Sequence, residues 1–397
     1  MRLSARARNL TPSPTMAIDA KSKQMVADGV DVVNFSVGEP DFDTPESVKA
    51  AGVAAIQQGR TKYTPAAGTL ELRKAICEKL ERDNGLQYRP EEIVVSNGGK
   101  QSLYNAYQVL LDPGEEVIIQ APYWVSYPEI VRLAGGVPVV VETDESTGFR
   151  LTADMIREKL TNRTRVINLN SPSNPTGAVL PRKELEEIAA LAVERDLIIV
   201  TDEIYERLLY DGAEHVSIAS FGEEVKKRTI TVNGLSKAYS MTGWRIGYTA
   251  SERIYAKAMG DLQSQSTSGP SSISQAAAVE ALRGSQEPVE HMRKEFDRRR
   301  KHMIARLNSL PGFSVKVAPE GAFYLFPNVS ALFGQTIAGR RITSSDDLAD
   351  LILEREHVGV VPGSGFGAPN HIRFSYATSM ERIDEGLDRI ARLLAEG

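Results

Sequence analysis

Runs of aliphatic and β-branched residues alternate with segments of helical periodicity over much of the chain. Residues 197–201 form one such run, and residues 164–170 show another buried-strand pattern. Apolar residues at successive positions, rather than at every second one, predict a strand that is buried on both faces, as in a parallel sheet. The alternation continues to about residue 290 and therefore predicts a mostly parallel sheet with helices on both faces.

The sequence changes character after about residue 290, where the strand-like runs 321–326 and 358–362 lie between charged helical segments. This pattern predicts a smaller α+β domain. A chain of 397 residues with 42% hydrophobic content can bury the cores of two domains. We expect an N-terminal arm at 1–46 that belongs to the small domain, a large domain at 47–290 and a C-terminal small domain at 291–397.

Composition argues against several functional classes. A net charge of −5 with 25% charged residues disfavours a nucleic-acid surface, because binding phosphates requires a clustered excess of basic residues. The single cysteine, Cys77, is typical of a reducing compartment, and the chain contains no long apolar run or signal-peptide core, so we expect a cytoplasmic protein without a membrane partner. The five histidines show no paired spacing, and no metal site is predicted.

Lys237 stands out among the lysines because small and hydroxylated residues surround it in the segment 233–245. A lysine forms a Schiff base with an aldehyde only when it is partly deprotonated, and burial or a neighbouring cation lowers its pKa towards neutrality. Ser236 and Arg245 could hold an anionic group, such as a phosphate, beside that amine. The alternative is an ordinary surface lysine.

Asp202 and Tyr205 follow directly after the predicted strand at 197–201. Ligands of parallel sheets bind beyond the carboxyl ends of the strands, which is where these two side chains would lie. A carboxylate there could pair with the protonated ring nitrogen of a cofactor, and the tyrosine could donate to a phenolic oxygen. The alternative for Asp202 is to cap a helix after the strand.

The predicted strand at 164–170 leads into a loop that contains Pro172 and Pro175. Two prolines in so short a loop make it rigid, and X-Pro bonds are the ones that can be cis. Such a loop could aim Asn174 at a ligand, although an ordinary turn at the end of a strand has a similar composition.

A glycine pair follows a third predicted strand. Gly98, Gly99 and Lys100 come soon after the short strand at 93–95 and open a helix that extends to Leu110. Backbone N–H groups at a glycine-rich helix start bind anions, so this turn is a second candidate for contact with a phosphate.

Several motifs occur in one order, namely Asn174-Pro175-x-Gly177, Asp202-x-x-Tyr205, Ser236-Lys237 and Arg245. In this order and spacing the chain resembles the class I aminotransferases, which are pyridoxal-phosphate enzymes of fold type I. The likeness extends from residues 12–15 through 38–42 to 373–377. It implies an α/β fold in which a large domain carries a mostly parallel seven-stranded sheet between helices, a smaller α+β domain, and pyridoxal 5′-phosphate as the cofactor.

The resemblance also implies roles for these side chains. Lys237 would hold the cofactor and act as nucleophile and acid–base group, and Asp202 would keep the ring nitrogen protonated. Tyr205 and Asn174 would contact the ring oxygen. Trp124 matches the aromatic residue that stacks on the cofactor ring, with core packing as its alternative role. The implied cofactor-binding residues are thus Lys237, Gly98, Gly99, Lys100, Trp124, Asn174, Asp202, Tyr205, Ser236, Arg245 and Tyr63.

Arg373 matches the arginine that binds the substrate α-carboxylate in this family, and a guanidinium group offers two parallel donors to a carboxylate. Gly38 would let the chain pass close to the substrate. Tyr63 matches a tyrosine that reaches the phosphate of the neighbouring subunit, so the resemblance implies a homodimer with shared active sites.

The predicted substrates are amino acids and 2-oxo acids. Lys100 matches a lysine that recognises a distal carboxylate in the bacterial and plastid branch of the family, which favours a ping-pong transfer of the amino group from L-aspartate to 2-oxoglutarate. Thr15 and Lys100 also match residues linked to transamination of prephenate to arogenate. Thr11 stands where prephenate-using members carry a cation, so aspartate is favoured. The implied substrate-binding residues are Gly38, Lys100, Trp124, Asn174, Arg373 and Thr15.

Two other functions are open on the same scaffold. A pyridoxal-phosphate lyase, such as a carbon–sulfur lyase, could also use Lys237, but the presence of Arg373 and Lys100 for two carboxylates argues against it. A ligand-sensing module of a regulator would need an attached DNA-binding region, which we do not expect because the family-like sequence already begins at Pro12.

Overall fold

The computed structural model describes residues 2–8, 10–11 and 14–396. Pro12 and Ser13, where the family likeness begins, lie outside the described residues. The helices are α1 (Ala5–Arg8), α2 (Pro14–Ala27), α3 (Glu46–Gln57), α4 (Leu70–Asn84), α5 (Gly99–Leu110), α6 (Ser126–Leu133), α7 (Ala153–Arg157), α8 (Arg182–Glu194), α9 (Glu223–Lys227), α10 (Arg253–Ser264), α11 (Ser272–Arg283), α12 (Glu287–Ser309), α13 (Ser345–Glu356) and α14 (Met380–Leu394). None of these described helices is long and apolar enough to span a bilayer.

The N-terminal strand and most strands of the C-terminal part have two residues, whereas the strands between residues 93 and 250 have four to seven. The strands are β1 (Val33–Asn34), β2 (Ile93–Ser96), β3 (Glu116–Ala121), β4 (Val137–Glu142), β5 (Thr164–Asn170), β6 (Ile198–Asp202), β7 (Thr229–Gly234), β8 (Gly247–Ala250), β9 (Tyr324–Leu325), β10 (Thr336–Ile337), β11 (Arg340–Arg341), β12 (Val358–Gly359), β13 (Val361–Pro362) and β14 (Ile372–Ser375).

Seven strands form the large sheet, in the order β2-β8-β7-β6-β5-β3-β4. β8 is antiparallel to both of its neighbours, and the remaining pairs are parallel. The prediction of a mostly parallel seven-stranded sheet is therefore confirmed.

The central strands of this sheet are buried on both faces, which explains their apolar runs. Val117 and Ile119 of β3 pack with α5 in one core, whereas Ile118 between them packs with α8 in another. Successive side chains of a strand point to opposite faces, so a strand with helices on both sides is apolar at consecutive positions.

The C-terminal region forms a separate core around a three-stranded antiparallel sheet in the order β13-β14-β9, to which α12 and α14 contribute. β1 pairs in parallel with β12 through Val33 and Val358, so the N-terminal strand shares this core. The division into 1–46, 47–290 and 291–397 stays a prediction, and its second boundary falls within α12.

The carboxyl ends of several parallel strands meet at one edge of the large sheet. β5 ends at Asn170 before the loop to Asn174, β6 ends at Asp202, and β7 ends at Gly234 before Lys237. β2 ends at the same edge, because its last residue and the last residue of β7 pair with the same residue of β8. The sequence candidates therefore follow strands that finish side by side.

Candidate active site

A cavity of about 370 Å³ opens at this edge of the large sheet. Most of the predicted cofactor and substrate residues line it, namely Thr15, Gly38, Gly99, Lys100, Trp124, Asn174, Asp202, Tyr205, Ser236, Lys237, Arg245 and Arg373. Gly98 packs closely against the guanidinium group of Arg245 but does not itself line the cavity. Tyr63 does not line the cavity either. The fold thus gathers residues from the N-terminal arm, the large sheet and the C-terminal core around one space.

Lys237 lies in the turn after β7, and its Nζ atom donates a hydrogen bond to the carbonyl oxygen of Gly38. Burial, assisted by the charge of Arg373, lowers the pKa of Lys237 to about 8. Part of the amine population is therefore unprotonated near neutral pH and can act as a nucleophile. The alternative of an ordinary surface lysine does not describe this position.

Asp202 ends β6 and is buried, with 6% of its surface exposed. Its Oδ2 atom accepts a hydrogen bond of 2.9 Å from the hydroxyl group of Tyr127, and its Oδ1 atom accepts one of 3.3 Å from the backbone N–H of Ile204. Burial raises the pKa of Asp202 to about 6, although the bond from Tyr127 opposes the shift. The residues that follow form turns, so the alternative that Asp202 caps a helix is wrong.

Tyr205 faces the same cavity from the turn after β6. Its hydroxyl group shares a hydrogen bond of 2.8 Å with the hydroxyl group of Tyr324, and both rings are buried. Burial raises the pKa of both phenols, so each hydroxyl group stays protonated near neutral pH. Tyr205 can therefore accept a hydrogen bond from Tyr324 while it donates to an oxygen atom in the cavity.

The loop after β5 holds Asn174 against Arg373. The peptide bonds Ser171–Pro172 and Asn174–Pro175 are cis, as X-Pro bonds can be. The backbone N–H of Asn174 donates to Oδ1 of Asn170 at 2.9 Å, and its side-chain Oδ1 accepts from Nη1 of Arg373 at 3.0 Å. The loop therefore presents an amide to the cavity beside a guanidinium group.

Arg373 lies in β14 and is buried, with 2% of its surface exposed. Its Nη2 atom donates to the carbonyl oxygen of Ser36 at 2.7 Å. In the part of the chain that the structure describes, the Nε atom has no hydrogen-bond partner and the guanidinium group forms no salt bridge. A buried cation without a counterion is costly, so its place in the cavity favours an anionic ligand.

Gly98 and Arg245 fit closely together after β2. Gly98 has a φ of 85°, which favours glycine, and a Cβ atom there would lie 2.3 Å from Nη2 of Arg245. The guanidinium group also donates to the carbonyl oxygens of Asn97 at 3.2 Å and Thr242 at 2.9 Å. Together with the buried hydroxyl group of Ser236 and the first turn of α5, it supplies donors suited to a phosphate group.

Trp124 lines the cavity and also packs against a hydrophobic core, so its stacking on a cofactor ring stays a prediction. The Nζ atom of Lys100 lies 4.8 Å from the centroid of the Trp124 ring, on the cavity side. The same ring meets Tyr127 edge-on, with 5.3 Å between centroids, in one of the sheet's hydrophobic cores. Burial and the charge of Arg245 lower the pKa of Lys100.

Tyr63 is 98% exposed. This exposure agrees with a side chain that reaches a second subunit, and that role stays a prediction. Thr11, which stands in place of the cation expected for prephenate use, is exposed, and its backbone N–H donates to Oε2 of Glu129 at 3.3 Å.

The cavity also contains residues that the sequence did not single out. Tyr127, Tyr324 and Ser36 each hydrogen-bond to one of the predicted residues. Asn170 could have been found, because it closes the predicted strand at 164–170 and so lies at the carboxyl edge. The other three lack a local signal, since they reach the cavity only through the packing of distant elements.

A second group of charged side chains lies behind the turn after β6. It contains carboxylate oxygens of Glu203 and Glu206 and a ring nitrogen of His215, all within 4.8 Å of one another. Such a set of atoms could coordinate a metal ion. However, Nζ of Lys79 hydrogen-bonds to Glu206, and Ser217 donates to Glu203 at 2.8 Å. The group is therefore a buried ion-pair network whose carboxylates already have partners. The spacing of the histidines in the sequence did not predict this network.

Comparison with known proteins identifies relatives along nearly the whole chain. The family model for aminotransferases of class I and II matches residues 30–390. The chain is 51% identical over 392 residues to an aspartate aminotransferase of Bacillus sp. (strain YM-2), with 99% of each chain covered. It is 49% identical over 396 residues to a probable aspartate/prephenate aminotransferase of Aquifex aeolicus, again with 99% of each covered. The crystal structure of an aspartate aminotransferase from Rhizobium meliloti superposes with a TM-score of 0.96 at 45% identity, covering 100% of this chain and 99% of that one.

Proposed function

The chain belongs to the class I and II aminotransferases, a family of pyridoxal-phosphate-dependent transaminases, and on this premise we propose that it transfers the amino group of L-aspartate to 2-oxoglutarate. The products are oxaloacetate and L-glutamate, and the two half-reactions alternate in a ping-pong cycle. One observation carries the proposal: the buried Arg373 guanidinium group, which lacks a salt bridge within the described residues, faces the same cavity as the amine of Lys237.

The cavity fits pyridoxal phosphate by the chemistry of its donors. Asp202 is a buried carboxyl group that forms no salt bridge among the described residues, which suits a pyridinium nitrogen. The first turn of α5, the Ser236 hydroxyl group and Arg245 supply donors for a phosphate. Lys237, with a pKa of about 8, supplies an amine for a covalent bond to an aldehyde.

The proposed mechanism gives each of these side chains one task. When bound, pyridoxal phosphate withdraws electrons from the substrate α-carbon and so makes its proton acidic. Lys237 takes that proton on its Nζ atom, so one amine serves as nucleophile and as acid–base group. The Asp202 carboxylate stabilises positive charge next to it, and Tyr205 and Asn174 donate hydrogen bonds to a phenolic oxygen.

Two cations support a dicarboxylate as the substrate. The guanidinium group of Arg373, which lines the cavity, would bind the α-carboxylate through its Nη atoms. Lys100 lies next to Trp124 in the same cavity and would bind a distal carboxylate, such as the one on the side chain of aspartate. A lyase would not need this second cation, and a sensor would not need the perturbed amine of Lys237.

Prephenate is a second candidate substrate for the same site. Thr15 and Lys100 both line the cavity, and the Aquifex aeolicus relative is named as a probable aspartate/prephenate aminotransferase. Thr11 offers no cation for the second carboxylate of prephenate. Aspartate is therefore the favoured substrate.

We also propose a cytoplasmic homodimer with shared active sites. The nearly complete exposure of Tyr63 supports a contact with a second subunit, because tyrosine is enriched at protein interfaces. Cys77 is the single cysteine, which supports a reducing compartment.

The proposal is tested by separate half-reactions. The cofactor-loaded protein is mixed with single amino acids, and its amine form is then converted back with oxaloacetate, 2-oxoglutarate or prephenate while the cofactor absorbance is followed. Fast cycling with aspartate and 2-oxoglutarate, with little conversion of prephenate, is the expected result. Fast conversion of prephenate would favour the second candidate, and no conversion of any amino acid would overturn the transaminase assignment.

A further inference from the structure

Asn34 lies at the end of β1, and hydrogen bonds connect it to Arg373 through one intervening residue, Ser36. Its Oδ1 atom accepts hydrogen bonds from the backbone N–H of Ser36 at 2.9 Å and from the Ser36 hydroxyl group at 2.7 Å. The carbonyl oxygen of Ser36 in turn accepts the 2.7 Å bond from Nη2 of Arg373. Asn34 itself does not line the cavity.

The other end of the same amide reaches α2. Nδ2 of Asn34 donates to Oδ1 of Asp19 at 3.1 Å, and Oδ2 of Asp19 pairs with Nζ of Lys23 at 2.7 Å. Asp19 and Lys23 both line the cavity, as does Thr15 on the same helix. One side chain thus bridges the N-terminal helix and the segment that orients the arginine.

The partners fix the orientation of the amide. A backbone N–H can only donate, so the atom facing Ser36 must be the oxygen, and the ionised carboxylate of Asp19 can only accept, so the nitrogen must face it. Packing is close as well, because a Cβ atom at Gly359 would lie 3.0 Å from Oδ1 of Asn34. The amide therefore has one arrangement.

We propose that Asn34 is a positioning residue for the substrate α-carboxylate, acting through Ser36 on Arg373 and tying α2 to that arginine. This inference rests on the proposed transaminase function. The side-chain oxygen of Asn34 accepts a hydrogen bond from the backbone N–H of Ser36. The backbone oxygen of Ser36 accepts one from Nη2 of Arg373. Without the amide, the N–H of Ser36 loses its acceptor and the arginine loses a fixed partner, so binding of the α-carboxylate weakens.

The first test is Asn34→Ala in the half-reaction with L-aspartate and with L-alanine. Both substrates carry an α-carboxylate and only aspartate carries a distal one. We expect both dissociation constants to rise by about three- to tenfold, the effect of one lost network of hydrogen bonds. The maximum rate should stay within about twofold, because Asn34 touches no reacting group.

The matched control is Asn308→Ala. Asn308 lies in α12, where its Oδ1 atom accepts from the backbone N–H of Val315 at 2.7 Å, a bond like that of Asn34 but away from the cavity. This variant should keep wild-type dissociation constants. A rise in the aspartate constant alone in Asn34→Ala would place the amide with the distal carboxylate and overturn the inference.

A second test exchanges the amide of Asn34 and the carboxylate of Asp19, so that the hydrogen bond between the two positions is kept. Asn34→Asp should weaken binding, because two carboxylates then face each other where the 3.1 Å bond was. Adding Asp19→Asn restores a donor–acceptor pair in the reverse sense at unchanged net charge, and the double variant should bind both substrates within about twofold of wild type.

The outcomes separate this inference from the proposed function. A wild-type protein that converts no amino acid would overturn the proposed function. A wild-type protein that cycles normally, while Asn34→Ala binds both substrates as tightly or the exchange restores nothing, would overturn only the role of Asn34. If Asn34→Ala fails to fold, the exchange pair alone decides.

Discussion

Lys237 and Asp202 line the same cavity, and burial moves their pKa values in opposite directions. Loss of water disfavours whichever form is charged, so the pKa of the amine falls to about 8 and the pKa of the carboxyl group rises to about 6. Both values approach neutrality, where a group can gain or lose a proton at little cost. The activity should therefore respond to single hydrogen bonds that favour one protonation state.

Tyr127→Phe removes such a hydrogen bond. The Tyr127 hydroxyl group donates to the ionised form of Asp202, so its loss should raise the pKa of that carboxyl group further. Because the proposed mechanism needs the ionised form, the acid limb of the kcat profile should move to higher pH, with about two- to tenfold less activity near neutral pH. The measurement is kcat against pH.

The control for this variant is Tyr107→Phe. Tyr107 is equally buried, but its hydroxyl group donates to Oδ1 of Asn168 at 2.6 Å. It should lower the free energy of unfolding by about 1 kcal/mol without moving the acid limb. An equal shift of the acid limb in both variants would contradict the role given to Tyr127.

Lys100→Ala tests recognition of the distal carboxylate. The KM for aspartate should rise by about tenfold or more, because a charge-assisted contact is lost, while the KM for alanine stays within about twofold. Steady-state kinetics with both amino acids measures the difference. Lys226→Ala is a matched control, since that ammonium group lies 4.7 Å from the ring centroid of Tyr88 and does not line the cavity. Equal changes for both substrates would leave Lys100 a structural residue.

At the scale of elements, the turn after β6 has two functional faces. Asp202 and Tyr205 point into the cavity, whereas Glu203 and Glu206 belong to the buried ion-pair network with Lys79. The network holds the turn from behind, because each of its carboxylates is hydrogen-bonded to other elements. Its charges therefore fix the backbone that presents the two candidate catalytic groups.

The network makes stability depend on acid pH. Burial alone would raise the pKa of Glu206, but the charges of Lys79 and His215 outweigh it and lower the pKa from 4.5 to about 2. A carboxyl group with a lowered pKa stabilises the folded state above its unfolded pKa and loses that contribution as the pH falls towards its folded value.

Lys79→Met should therefore lower the free energy of unfolding by about 3–5 kcal/mol at neutral pH, because it leaves a buried carboxylate without its cation. The difference from wild type should shrink as the pH falls from 4.5 towards 2. Urea unfolding at several pH values measures it. Lys257→Met, which breaks the exposed pair with Asp261, should cost less than about 1 kcal/mol. A loss in Lys79→Met no larger than in this control would contradict the account.

Elements with a local signature could be predicted from the sequence, and contacts made by tertiary approach could not. β5 and β6 are rich in aliphatic residues, so their ends and the motifs after them were found. β8 escaped prediction because its four residues, Gly247–Ala250, owe their strand conformation to pairing on both sides. The bond from Arg373 to Ser36 joins residues 337 positions apart, which no local pattern reveals.

At the scale of the molecule, the cavity wall comes from the N-terminal arm, the large sheet and the C-terminal core. The proposed homodimer would add a fourth contributor, Tyr63 of the second subunit. Lys237→Ala should abolish the absorbance band of the covalent bond between the lysine and the cofactor together with turnover. Tyr63→Ala should weaken cofactor binding, because a phosphate contact is lost.

Hybrids of these two variants test whether the sites are shared. Lys237→Ala and Tyr63→Ala chains are co-expressed with different affinity tags, and dimers that carry both tags are purified. If Tyr63 serves the other subunit, each hybrid has one intact site and should recover about half of the wild-type activity per dimer. Hybrids no more active than the Tyr63→Ala homodimer would show that the tyrosine is not shared.

The position of β2 has a consequence for synthesis of the protein. β2 is at the edge of the large sheet, and within the described residues β8 is its strand partner, with Ile93 opposite Ala250 and Ser96 opposite Gly247. The ribosome releases β2 long before β8, so this apolar strand has no strand partner on the nascent chain until β8 has been synthesised. The turn at Gly98 is likewise without Arg245 until then. The proposed phosphate site therefore cannot be complete until β8 and Arg245 have left the ribosome.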